Sequence, residues 1–305
     1  MKGAKYQLPY YGSKRNLSVL RLVTISQMGH GDHWHALRLE PQDIVERLLP
    51  LVADEGTVAY KRGSGYFPDP YSAVYSQVYP QGPVQLMLLM TVSKYEREVH
   101  GKTWFPYLAE GYEHAIVIDQ IGEWKTPFEG LIQATLGNAW IAFFAPLWAY
   151  EQWPKEGRVD IRLAALAYSV APVAEHTGQM IHPPESLRDL LAGMDPNDVE
   201  SAMEPRELCL QGMRGFLPSN DGWPEDASYV TVVEQVEEIQ LLDIPIWRME
   251  IGMFVDDSGK EEAIPRIPLY AAKAACQPGY TPKVGDTIQG LCWLQGCLAS
   301  SHPQT

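Results

Sequence analysis

The sequence predicts an α+β protein dominated by β structure: two OB-like or small β-barrel or sandwich units, a candidate tandem repeat, behind an α/β N-terminal region. Three observations carry that expectation. Residues 229–298 break into five short β-segments with turn residues between them. A weaker copy of the pattern occupies residues 113–170. The chain of 305 residues also exceeds what one hydrophobic core usually serves, so two or three domains are expected. The expected divisions are 1–110, an N-terminal α+β region; 111–172, a first β unit; 173–228, a helical connector; 229–299, a second β unit; and 300–305, a tail.

The second unit is the clearest. Its first segment, 229–240 (YVTVVEQVEEIQ), mixes β-branched and charged residues, as a long and partly exposed strand does. A turn at Leu242 and Asp243 leads into 244–255 (IPIWRMEIGMFV). There Trp247, Met249, Ile251, Met253 and Val255 share one apolar side, a period of two that marks a strand with one buried face. Asp256, Asp257, Ser258 and Gly259 make a turn toward a third segment, 264–271, which Pro265 and Pro268 suggest is an edge. A loop or short helix follows. Pro282 to Gly285 then turns the chain into the last strand, where Gly290 and Gly296 suggest bends. Five strands in this order resemble the OB-fold plan, with a short Greek-key sandwich as the competing arrangement.

The first unit follows the same order. Residues 114–124 parallel 229–240, and 128–136 with 139–144 form a hairpin around Gly137 and Asn138. Pro154-Lys155-Glu156-Gly157 matches Pro282-Lys283-Val284-Gly285, and Pro146-Leu147-Trp148-Ala149 matches Pro268-Leu269-Tyr270-Ala271. A long apolar segment closes each copy.

Ahead of these units, residues 17–26 read as a strand and 41–53 as a helix, with Ile44, Leu48 and Val52 on one stripe. Pro50 is placed to bend or end that helix. Lys61 to Tyr66 reads as a basic Gly-rich loop, and the tyrosines 66–79 as irregular packed loops. Residues 83–92 form an apolar strand, and 93–109 a charged connector. Between the units, short helices are expected near 183–193, 195–203 and 206–217.

Composition narrows the function. The formal net charge is −14, which argues against a double-stranded nucleic-acid partner, since such binding rests on Lys and Arg neutralising phosphates. No apolar run is long enough to span a membrane. The four cysteines, Cys209, Cys276, Cys292 and Cys297, lack CxxC spacing and read as free thiols in a reducing cytoplasm.

Two candidate sites emerge. Residues 225–262 hold eleven acidic side chains against Arg248 and Lys260, and Glu234, Glu237, Glu238, Asp256 and Asp257 are the candidates for contacting a partner. The second is Gly29-His30-Gly31-Asp32-His33-Trp34-His35, where His30, Asp32, His33 and His35 are candidate zinc ligands. No GxSxG, HExxH, Walker or GxGxxG motif is present. The first expectation is therefore a non-enzymatic cytoplasmic binding protein with no cofactor. It engages a protein partner through an acidic β surface, as an inhibitor, immunity protein or charge mimic does. The alternative is a zinc-dependent hydrolase centred on His30 to His35. Single-stranded nucleic-acid binding through exposed aromatics ranks third, for want of a positive groove.

Overall fold

A computed structural model of the chain describes residues 6–7, 21–22, 31–63, 71–93, 95, 99–123, 129–146, 153–154, 156–174, 178–181, 199, 206–219, 224–254 and 264–299. The protein is rich in β structure, with a closed eight-stranded barrel and a separate four-stranded sheet.

The four-stranded sheet is antiparallel and runs in chain order: β1 (Thr57–Gly63), β2 (Tyr71–Tyr79), β3 (Val84–Ser93) and β4 (Val99–Leu108). The apolar run Leu86 to Met90 is buried on both faces of β3, which explains its lack of alternation. Three expectations change here. Lys61 to Gly63 close β1 instead of opening a loop. Tyr71, Tyr75 and Tyr79 lie on strand β2, and the stretch expected as a charged connector contains β4. Pairing with β3 outweighs the poor strand signal of Gly101, Lys102 and Pro106.

Helical residues precede the sheet. The pieces are Pro41–Asp43, a π-helical Ile44–Leu48 and Leu49–Glu55. Ile44, Leu48, Leu49 and Val52 are buried, as the stripe predicts. The wide turn falls just before Pro50, whose ring and missing N–H disturb the regular ladder.

The barrel strands are β5 (Tyr112–Glu123), β6 (Gly130–Leu136), β7 (Ala139–Ala145), β8 (Gly157–Ala167), β10 (Asp226–Leu241), β11 (Ile244–Gly252), β12 (Arg266–Ala272) and β13 (Thr287–Leu298). The short β9 (Gly215–Pro218) pairs along β10. The strands close in the order β13, β7, β6, β5, β8, β12, β11, β10 and back to β13. Strands β8 and β13 also pair with each other across this ring, from Ile161↔Leu298 to Ala167↔Cys292.

The long strands change neighbours along their length. β8 pairs with β5 over Gly157–Leu163 and then meets β12 in parallel at Ala165↔Leu269. β13 pairs with β10 over Thr287–Trp293 and then meets β7 in parallel at Gln295↔Phe144. The third segment of the second unit is therefore no edge: β12 pairs with β11 along its length and with β8 at Leu269 and Tyr270, with Pro268 opposite Glu250 and Pro265 ahead of the strand. Gly157 and Gly285, which launch β8 and β13, have φ of +95° and +91°, conformations open to glycine. The matches built on Leu147, Trp148 and Ala149 lie outside the described residues.

Alternation sorts the core. Ile161, Leu163, Ala165 and Ala167 of β8, with Ile288, Cys292 and Leu294 of β13, point into the barrel with Met249 and Ile251 of β11 and with Met253 just after it. Ala164, Leu166 and Trp293 point out, under the helical pieces and the four-stranded sheet. Gln295 fastens the two layers: its amide donates to Pro106 O at 2.8 Å and accepts from Leu108 N–H at 3.3 Å. Where a third connector helix is expected, Arg206–Cys209 and Gly215–Pro218 are strands. Of the other two, only residue 199 is described. No described helix is long and apolar enough to cross a membrane.

Candidate functional site

The histidine-rich stretch forms a 3₁₀ segment, Gly31–Leu37. Three residues per turn separate positions 33 and 35 widely around its axis. His33 is buried and His35 exposed. The His33 ring lies on Trp293 with centroids 3.8 Å apart and planes 6° from parallel. His33 Nδ1 also meets the hydroxyl of Tyr168, and that hydroxyl donates to Asp226 Oδ1 at 3.0 Å. A hydroxyl has one proton, so with it given to Asp226 the Tyr168 oxygen accepts from Nδ1–H.

The strand register assembles this group. Asp226, Trp293 and Leu166 are direct neighbours across β10, β13 and β8, all on the outer face. Tyr168 sits just past β8, its N–H on Leu291 O. Glu225, fully buried, precedes Asp226, and Glu129 is buried nearby. Burial raises the Glu225 carboxyl to about 8, helped by the negative charges of Asp226 and Glu129. Burial likewise drives the Tyr168 phenol far up, reinforced by Asp226. At neutral pH the group therefore contains a protonated Glu225 and a protonated tyrosine.

Asp226 also lines a cleft on the barrel surface, between β7 and β9. Trp140, Ala142, Phe216, Leu217 and Pro218 form its walls. Two of these are well exposed, Trp140 at 45% and Leu217 at 69%. The exposed apolar surface continues from Trp140 across Thr135 to Val117, which the register of β7, β6 and β5 places in one row.

The acidic strand surface is organised differently. Glu234 pairs with Arg266 at 2.5 Å and Arg214 at 3.4 Å. Glu237 pairs with Arg248 at 2.8 Å, and Glu238 with Lys273 at 2.6 Å. Lys273 also lies 4.4 Å over the Trp247 ring. Glu250 accepts from Tyr112 OH at 2.5 Å, and Asp243 pairs with Arg47 at 3.1 Å. Charge counted along the sequence as a one-sided display is, in space, interleaved with cations from Arg214 ahead of β9, from β11 and β12, and from the turn after β12. Asp256 and Asp257 lie outside the described residues.

Of the metal candidates, His30 and the Asp32 side chain lie outside the described residues. Among the described residues, no three metal-ligating side chains gather. The zinc reading thus rests on His30 and Asp32 joining His35 or His33.

Sequence reasoning did not single out Tyr168, Asp226, Trp140 or Leu217. Asp226 was one acid among eleven, and Tyr168 and Trp140 gain meaning only from strand register. Comparison with known proteins finds no matching family model, curated relative or solved structure.

Proposed function

We propose that this chain is a cytoplasmic, non-enzymatic binding protein whose protein partner docks on the apolar outer face of the barrel. The observation that carries this is the grouping of Val117, Trp140 and Leu217, three large exposed apolar side chains on one side. Exposed apolar groups gathered this way mark interaction surfaces, and tryptophan is favoured at interface centres. The paired carboxylates Glu234, Glu237 and Glu238 serve solubility and hold neighbouring strands together. Buried thiols at Cys276, Cys292 and Cys297, none in a disulfide, suit a reducing compartment.

The test uses the full-length protein as bait in extract from its native cells, in three forms: unaltered, Trp140→Asp with Leu217→Asp, and Glu237→Lys with Glu238→Lys. The expected result is a partner retained by the unaltered and charge-reversed forms and lost from the apolar-face variant. A partner lost only on charge reversal returns the role to the acidic surface. Capture of nothing specific counts against a binding protein.

We also infer that the two halves of the barrel arose by duplication of an OB-like unit. In each half three strands form a meander, and a fourth pairs back on the first. In each, the third strand reaches the other half's last strand in parallel. Each half thereby reaches five strands, the OB number. The bulge in β5 after Ile118 has a counterpart in β10 after Val233.

A further inference from the structure

We draw no further inference here: the strongest candidate, the cluster of Tyr168 with the buried carboxyls Glu129, Glu225 and Asp226 beside the contact of the 31–37 segment with the barrel, belongs to the site already described and rests, for any switching role, on the raised carboxyl of Glu225 alone.

Discussion

The imidazole of His33 lies flat on the indole of Trp293, 3.8 Å between centroids, and ties the first described helical segment to the last strand of the barrel. Tyr168 completes the tie by bonding both His33 and Asp226. Removing the hydroxyl by Tyr168→Phe deletes both bonds while keeping the ring. A loss of about 2 kcal/mol is expected, within the range for buried hydrogen bonds to ionised groups. Denaturant unfolding checks it, and a double-mutant cycle with His33→Phe should show coupling between the two sites.

Stability should depend on pH through Glu225. Its carboxyl moves from 4.5 to about 8 on folding, so the folded chain holds the proton more tightly. The stabilisation is complete below the unfolded value and is lost as pH rises toward about 8. Melting temperature should therefore fall between pH 5 and pH 8, with a slope approaching one proton per molecule. Glu225→Gln should flatten that slope.

Gln295 takes the place of a strand partner at the rim of the four-stranded sheet, where no described strand pairs with the outer side of β4, by bonding Pro106 O and Leu108 N–H. Gln295→Leu keeps the bulk but removes both bonds. It should cost about 2 kcal/mol and accelerate hydrogen exchange at the Leu108 amide well above that at the β3–β4 ladder.

Two glycines of β13 sit where the chain leaves no room. A Cβ on Gly290 would collide with the Ser169 carbonyl, and one on Gly296 would fall 2.5 Å from the Phe143 ring. Gly290→Ala meets backbone and should destabilise by roughly 3 kcal/mol or more; Gly296→Ala meets a side chain packed in the core and should cost less. Thermal melts of the two variants, compared directly, test the ordering.

Much of the barrel was legible in the sequence, because its strands are locally patterned and separated by turn residues. Met249, Ile251 and Met253 follow their period of two into the core, and the Gly137-Asn138 turn stands between β6 and β7. What was hidden depends on partners distant along the chain. The parallel contacts of β7 with β13 and of β12 with β8 leave no local pattern, so the units looked separable. Strand β4 owes its conformation to β3 and reads as a connector alone. The candidate site was hidden for the same reason. His33 shares its stretch with other histidines, and only the position of Trp293 decides that this ring turns inward. The acids of β10 looked unopposed because their cations, Arg214, Arg248, Arg266 and Lys273, are scattered in sequence.

The exchange of neighbours along β8 and β13 has a consequence for how the molecule is made. The first half cannot close while it is being synthesised, because the only described strand that seals the outer side of β7 is β13, at the far end of the chain. Without residues 287–298, β7 would lack its contact with β13 and β8 its antiparallel pairing to that strand. Closure by pairings so far apart in sequence is slow, and sheets in that state associate with one another. Loss of the last dozen strand residues would therefore leave both halves open, so that a premature stop just before Thr287 yields aggregate instead of a smaller folded protein.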